Sequence, residues 1–328
     1  MWVRPVRRCG AVALVLVAAL GATSCRGRRP DSAEPSGPRR TREGGCHGDD
    51  RTFAACLERA TAGEVLAQFH LAEMYDAGAV VAQDRAAAAQ WYRRAAEQGL
   101  AEAQHALGIL YDRGSGVAED DAEAARWYRR AAEQGYAMSQ HNLALMHRAG
   151  LGGVARSNEQ AVRWFRLAAE QGYADAQYNL GVAFAAGDGV ARDLAEAARW
   201  YMRAAEQNLP DAQNNLALLY DDGAGVPGDD VLAVAWYRRA AAGGHANAQY
   251  NLGLMYANGE GVAVDEARAY LWVYLASTGT PAGVRPVAAK ALAGLGEGLS
   301  PAARTTLQQQ ADRCRLSGFK ECGEPPDP

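Results

Sequence analysis

Lysine is nearly absent from this chain of 328 residues, because Lys290 and Lys320 are the only two and arginine supplies almost all of the positive charge. A phosphate-binding P-loop needs a Gly-Lys pair, so that class of nucleotide enzyme is excluded. The sequence also lacks HExxH, GxSxG and CxxC, the motifs of zinc proteases, serine hydrolases and many zinc sites. We therefore expect no catalytic residue, no metal site and no cofactor.

One stretch does match a nucleotide motif. Residues 223–228, GAGVPG, fit the G-x-G-x-x-G pattern of dinucleotide-binding proteins. That pattern binds pyrophosphate only where a strand precedes it and a helix follows. Related loops at 112–121, 185–194 and 257–266 lack the third glycine, and each follows a helical pattern. We therefore interpret residues 223–228 as one variant of a repeated loop.

The N-terminal 25 residues predict an export signal. Three arginines precede an apolar run from Gly10 to Leu20, which is too short for a permanent membrane span. Small residues then lead to Cys25, a pattern that resembles a bacterial lipoprotein signal, although Ala22 stands where leucine is usual. We expect residues 1–24 to be removed and Cys25 to be lipidated; conventional cleavage nearby is the alternative. The residue after the cysteine is not aspartate, which by the same resemblance favours an outer-membrane lipoprotein that faces the periplasm.

Charge separates the next segment from the rest of the chain. Residues 25–45 are rich in proline, glycine, serine and arginine without apolar periodicity, which predicts a disordered tether. The first 25 residues and the following 20 carry +3 each, whereas the whole chain carries −4, so residues 46–328 carry −10. An acidic body argues against nucleic-acid binding.

Four cysteines flank the middle of the chain. In an exported protein they suggest two disulfides, and sequence order favours Cys46 with Cys56 and Cys314 with Cys322. A metal site is the alternative, but the only histidine beside these cysteines is His47.

The middle of the chain is periodic, with spacings of 36 or 37 residues that predict six stacked units. Tryptophan recurs at Trp91, Trp127, Trp164, Trp200, Trp236 and Trp272. Glutamine recurs in step at Gln68, Gln104, Gln140, Gln177, Gln213 and Gln249.

The second unit predicts a pair of helices, A and B. Apolar residues at helical spacing around Leu107 form helix A, and Gly114 suits a left-handed stop. Asp120 and Glu123 form a capping box at the start of helix B, whose apolar face contains Trp127. We expect the tryptophans and tyrosines of these columns to be core residues. Helix B stops at a column that tolerates left-handed backbone: Gly99, Gly135, Gly172, Asn208 and Gly244.

The segment AEAQHALGILYDRGSGVAEDDAEAARWYRRAAEQG resembles the Sel-one-like repeat, a relative of the tetratricopeptide repeat. The resemblance covers residues 63–279 and implies an all-α fold, a right-handed α-solenoid of six helix-turn-helix repeats that acts as a protein-interaction scaffold. Two departures are a first loop without its second glycine and an extra residue at Gly152-Gly153. The predicted domains are an N-terminal cap at 46–62, repeats at 63–98, 99–134, 135–171, 172–207, 208–243 and 244–279, and a C-terminal helical cap and tail at 280–328, with a last helix near 301–316.

The resemblance to tetratricopeptide repeats places the binding groove on the A helices. Aromatic, histidine and asparagine side chains suit peptide recognition, although repeated asparagines could instead bridge adjacent helices. A metal pair at His105 and His141 is conceivable, but we expect them to be surface histidines. The candidate partner-binding residues are Phe69, His105, His141, Tyr178, Asn214 and Tyr250 in one column and Asn142, Asn179, Asn215 and Asn251 in the next.

Two functions remain open from the sequence. The first is an exported, membrane-anchored scaffold that binds an unidentified protein or peptide and is not an enzyme. The second is a secreted hydrolase that acts on cell-wall or β-lactam-type substrates, because some cysteine-rich relatives are described in that way. The absence of a nucleophile motif and of disulfides within the repeats favours the scaffold.

Overall fold

The computed structural model describes residues 46, 53–279, 282–319 and 322. In this described part the regular structure is helical, with fifteen α-helices, two short 3₁₀ turns and no strand. The predicted signal, the tether with Cys25 and the final residues lie outside the described residues.

Twelve of the helices form six successive A–B pairs, which is the predicted all-α, α-solenoid class. The A helices are α2 (Val65–Ala77), α4 (Ala101–Arg113), α6 (Ala137–Ala149), α8 (Ala174–Ala186), α10 (Pro210–Asp222) and α12 (Ala246–Asn258). The B helices are α3 (Arg85–Glu97), α5 (Asp121–Glu133), α7 (Asn158–Glu170), α9 (Leu194–Glu206), α11 (Asp230–Ala242) and α13 (Glu266–Thr278). The flanking helices are α1 (Phe53–Thr61), α14 (Arg285–Leu295) and α15 (Pro301–Leu316).

The predicted helix ends are confirmed. The side chain of Asp120 accepts hydrogen bonds from the backbone N–H groups of Ala122 and Glu123, and Ser300 caps α15 in the same way. Gly114 has φ 61°, and Asn208 has φ 63° at the position where other copies have glycine. Asparagine tolerates the left-handed region better than other residues with a Cβ, so local backbone chemistry determines these boundaries.

The chain divides into two compact units. The N-terminal unit comprises the described residues up to Trp127 together with Ala149–Arg156. Its first core lies between α1 and α2, where Leu71 is buried and the predicted Cys46–Cys56 disulfide is present. The disulfide ties residue 46 to helix α1.

The C-terminal unit comprises Tyr128–Arg148 and the residues from Ser157 onward. One of its cores contains Leu252, Tyr256 and Trp272 and extends to α15. The predicted Cys314–Cys322 disulfide closes this end.

The tryptophan column differs from the prediction. Trp127 and Trp272 are buried, but the other four tryptophans are only half-buried. The next residue, by contrast, is buried in every B helix, as in Tyr201 and Tyr237. One residue turns a helical side chain by about 100°, so the tyrosine column faces helix A and the tryptophan column lies at its edge.

The glutamines of the repeated column are buried, and their side-chain amides donate hydrogen bonds to backbone carbonyl groups. Gln177 Nε2 donates to the carbonyl oxygen of Ala169 at 3.1 Å, in the last turn of the preceding B helix. Its Oε1 accepts from Gln207 Nε2, at the end of the next B helix, at 2.8 Å. Helix C-termini leave carbonyls without intrahelical partners, and this column satisfies one in each copy. The same donation to a carbonyl eight residues earlier is made by Gln68, Gln104, Gln140, Gln213 and Gln249.

The loop glycines explain the apparent nucleotide motif. Helix α10 precedes residues 223–228, so no strand is present there. Gly223 has φ 63° and ends α10. A Cβ on Gly225 would overlap the backbone of Leu194, at the start of the preceding B helix. The glycines therefore serve helix termination and loop packing, and the interpretation as a repeated loop is confirmed.

The contact between the second loop glycine and the preceding B helix explains both departures from the repeat, the missing glycine of the first copy and the extra residue of the third. The first copy has no preceding B helix, and there Val80 occupies the second glycine's position and is 57% exposed. In the third copy a Cβ on Gly152 would overlap Asp121, whereas a Cβ on Gly153 would meet nothing within 4 Å. Gly152 therefore takes the packing role, and Gly153 is the extra residue.

Candidate binding face

The A-helix face is defined here as the two predicted columns within the C-terminal unit, on α6, α8, α10 and α12. In the first column His141 and Asn214 are buried, whereas Tyr178 and Tyr250 are half-buried. The second column, Asn142, Asn179, Asn215 and Asn251, is half-buried throughout. The face therefore offers partly open aromatic rings beside partly open amides.

Two predicted residues belong to the N-terminal unit. Phe69 is half-buried, with its ring centroid 5.6 Å from that of Tyr92. His105 is 8% exposed and His141 is 2% exposed, so the expectation of surface histidines is wrong for both. Their column turns toward the B helices, which the sequence pattern does not reveal.

Rings of the B helices support the first column. His141 lies 5.6 Å from Phe165, and Tyr178 lies 6.0 Å from Tyr201, measured between ring centroids. Tyr173 contacts His141 from a third direction at 5.2 Å. Aromatic pairs at these distances restrict each other's rotation, so the side chains are held in place.

Asn179 shows how the second column bridges copies. Its amide lies 3.2 Å from His141 Nε2, one copy earlier, and also donates to the carbonyl oxygen of Asp175 at 2.8 Å. Its Oδ1 accepts from Arg148 Nη1 at 3.0 Å. The bridging role that the sequence left open is present here, and it fixes the orientation of the amide.

Asn215 lies in the same way between two tyrosines. Burial raises the pKa of Tyr178 to about 12, the Asp211 carboxylate adds to the rise, and the Asn215 amide opposes it. Burial also raises the pKa of Tyr201, again opposed by Asn215. Both phenols are therefore neutral donors at physiological pH.

Buried polar atoms remain at this position. Among the described residues, Tyr201 Oη and Asn214 Oδ1 have no hydrogen bond of normal geometry. The Asn214 amide nitrogen donates to Asn215 Oδ1 at 3.3 Å. Asn215 therefore interacts with Asn214 as well as with the two tyrosines.

The Asp211–His245 pair borders the face. His245 Nδ1 accepts from the backbone N–H of Ala248, and Nε2 lies 3.4 Å from Asp211 Oδ1. The hydrogen bond from His245 lowers the pKa of Asp211, whose carboxylate is largely exposed. Sequence reasoning missed this pair because neither residue belongs to the selected columns. The only available signal was their spacing of 34 residues, which is close to one repeat.

A second carboxyl borders the face at Asp221. Tyr237 Oη donates to Asp221 Oδ2 at 3.1 Å. Burial, with repulsion from Asp222 and Glu260, raises the pKa of Asp221 to about 6 although the Tyr237 hydrogen bond opposes the rise. The α10 end of the face is therefore acidic, whereas the α6 end has Arg148.

The described residues include neither a free cysteine nor a cluster of metal-binding side chains. Cys46, Cys56, Cys314 and Cys322 are all in disulfides and are not nucleophiles. Within the described ranges, no group of three or more His, Cys, Asp or Glu side chains could hold a metal ion. No helix in that part of the chain is long and apolar enough to cross a membrane.

Six helix pairs joined by copy-to-copy contacts define a helical-repeat protein of the α-solenoid class. The Sel1 repeat model matches residues 65–100, 101–136, 137–173, 174–209, 210–245 and 246–281. These matches span most of the chain, so the chain belongs to the Sel1 repeat family. Members of this family are generally protein–protein interaction scaffolds.

Two solved structures are similar. One is c5321, a protective antigen of uropathogenic Escherichia coli with an SLR fold, at 34% identity and a TM-score of 0.71; 81% of this chain and 57% of that chain are covered. The chain therefore spans little more than half of that relative's length. The other is a Sel1 repeat protein from Oxalobacter formigenes, at 31% identity, TM-score 0.61, and coverage of 70% and 93%. No curated protein sequence matches.

Proposed function

We propose that this protein is an exported, membrane-anchored scaffold that binds an extended segment of another protein along its A-helix face. Lipidation of Cys25 supplies the anchor, and the periplasmic side of an outer membrane is its location. Two disulfides support export, because disulfides persist in oxidising compartments.

The observation that carries the proposal is the ordered set of half-open side chains on this face. Tyr178 and Tyr250 present rings, and Asn179 and Asn215 present amides already oriented by neighbouring copies. Rings contribute contact area at small entropic cost, while amides can bond the backbone of an extended peptide. Side chains that are ordered before binding lose less entropy on binding, which favours affinity.

Site-specific photo-crosslinking tests the location of the binding face. A photoreactive phenylalanine replaces Asn142 on the face, or Arg199 on the exposed side of α9 as the matched control, in cells that express the full chain. We expect one dominant crosslinked partner from position 142 and none from position 199. The partner's apparent affinity for the purified protein should fall at least tenfold in the double variant Tyr178→Ala, Tyr250→Ala.

Circular dichroism of the double variant must retain the helical signal, because Tyr178 also packs on Tyr201. Equal crosslinking from both positions, or an unchanged affinity in a folded double variant, would contradict the assignment of the face. Labelling of the protein by a fluorescent β-lactam would support the hydrolase instead.

The anchor requires its own test. The full chain should incorporate a labelled fatty acid and fractionate with outer membranes, and Cys25→Ser should abolish both. Export of an unlabelled, cleaved protein would instead show conventional signal cleavage.

A further inference from the structure

The B helices of the first, second and fifth copies carry an arginine pair two and three residues after the tryptophan, and the fourth copy carries the second arginine alone. In the fifth and first copies the first arginine bonds the A helix of the next copy: Arg238 Nη2 donates to Tyr256 Oη at 2.8 Å, and Arg93 bonds Tyr111 in the same way. The second arginine lies over the copy's tryptophan. Those distances, from guanidinium carbon to ring centroid, are 4.2 Å for Arg94–Trp91, 4.5 Å for Arg203–Trp200 and 4.6 Å for Arg239–Trp236.

The third copy departs from both parts of this pattern. Leu167 stands where the second arginine would be, and it is 46% exposed. Among the described residues no guanidinium lies over Trp164. Arg166 keeps the position of the first arginine, but its partner is Phe184, 5.8 Å away, which has no hydroxyl. A large apolar side chain and a guanidinium that contacts a ring but has no hydroxyl to bond therefore lie in adjacent positions of this copy.

A groove opens at this point. It has a volume of about 680 Å³ and is lined by Val162, Leu167 and Val190 together with Glu159, Arg163 and Arg166. It lies within the C-terminal unit, between α7 and the loop that follows α8. Within the described part of the chain, neither arginine forms a salt bridge. The groove thus combines an apolar floor with a rim of two arginines and one glutamate, in a body of net negative charge.

We propose that this Leu167 groove is a second docking site, which binds an acidic peptide segment with one large apolar side chain flanked by aspartate or glutamate. The apolar side chain contacts Leu167 and Val190, and the flanking carboxylates pair with Arg163 and Arg166. Charge complementarity selects this occupant, because guanidinium groups bind carboxylates with two parallel hydrogen bonds. The site is distinct from the A-helix face and does not depend on it.

The test uses capped, fluorescein-labelled octapeptides with leucine, phenylalanine or tryptophan at the centre and two acidic residues on each side. Fluorescence polarisation measures their binding to the full chain at low salt. Each peptide has two controls, one with asparagine and glutamine in place of the acids and one with lysine. We expect at least one acidic peptide to bind ten times more tightly than its amide and lysine counterparts.

Two variants change the two parts of the groove. Leu167→Gln removes the apolar contact without adding a charge, so it should fold normally and weaken acidic-peptide binding at least tenfold. Phe184→Tyr supplies a hydroxyl for Arg166, as in the first and fifth copies, and should weaken binding about threefold. Leu232→Gln, at another exposed leucine on a B helix, is the matched control and should leave binding unchanged.

The proposal is overturned if no acidic peptide binds better than its amide counterpart. It is also overturned if Leu167→Gln and Leu232→Gln, both with wild-type unfolding midpoints, bind the peptide equally. Tyr178→Ala should leave this binding unchanged, which separates the groove from the A-helix face.

Discussion

Two neighbouring columns of helix A behave in opposite ways. Glutamine occupies the first column in all six copies, is buried in each, and donates to a carbonyl near the end of the preceding helix, which is α1 for the first copy and a B helix for the others. The residue immediately after it is Phe, His, His, Tyr, Asn or Tyr. The comparison teaches that a position whose side chain completes the backbone of a neighbouring helix keeps one residue type, whereas the next position, which has no such bond to make, differs from copy to copy.

Gly189→Ala should have the largest effect on stability, because Gly189 belongs to the glycine column that packs against the backbone of the preceding B helix. Gly189 has φ 73°, and a Cβ would overlap the backbone of Asn158. Left-handed strain and overpacking together should lower the free energy of unfolding by about 3 kcal/mol. Gly172→Ala is the control, because it has φ 90° with nothing within 4 Å of its Cβ, and should lose about 1 kcal/mol. Equal losses in urea unfolding would show that the close approach is unimportant.

Gln177→Leu should cause the next largest loss of stability. It removes the donor to the Ala169 carbonyl and one of the acceptors of the exposed Gln207 amide, which keeps the Gly172 carbonyl. The buried carbonyl left without a partner should reduce the free energy of unfolding by about 2 kcal/mol. Gln309→Leu, on the exposed side of α15, should change it by less than about 0.5 kcal/mol. If both variants unfold at the same urea concentration, the glutamine column has no structural role.

A substitution in the column that follows the glutamines should lower the free energy of unfolding by less. Tyr250→Asn introduces the residue of the fifth copy at a half-buried position that packs beside Val273 and Ala288. We expect a loss of about 1 kcal/mol in the free energy of unfolding, because the ring is only partly enclosed. Partner binding should nevertheless fall. A loss as large as that of Gln177→Leu would remove the distinction between the two columns.

The smallest effect concerns pH. Asp221 has a pKa of about 6 in the folded protein against an ordinary value of 3.8, so the folded state retains its proton longer than the unfolded state. Stability should therefore fall as pH rises from about 4 to about 6. Asp221→Asn should flatten that fall and raise stability at pH 7, by less than about 1 kcal/mol because the carboxyl is only partly enclosed and solvent screens its charge. Parallel wild-type and variant curves of urea midpoint against pH would contradict this.

Helix boundaries could be predicted from the sequence because they follow from local chemistry. The left-handed stop at Asn208 and the cap at Ser300 are examples, and α15 begins and ends where its pattern predicts. The two disulfide pairings follow from sequence order because each joins residues close along the chain.

The environment of individual columns could not be predicted in the same way. Trp200 is half-buried while Tyr201 is buried, and His141 is enclosed by rings from two other segments. Both outcomes depend on how a neighbouring copy packs, which periodicity alone does not reveal. The Asp211–His245 pair was missed for the same reason, because it joins the starts of two successive A helices.

The glutamine hydrogen bonds also bear on how the gene can change. Each bond joins groups at a fixed interval along the chain, so a tandem duplication or loss of one whole period leaves every donor with an acceptor. A deletion within the eight residues between a donor and its acceptor removes that pairing, whereas the extra loop residue of the third copy leaves the bonds on both sides of it in place. Array length can therefore evolve in whole periods inside the two disulfide-closed ends.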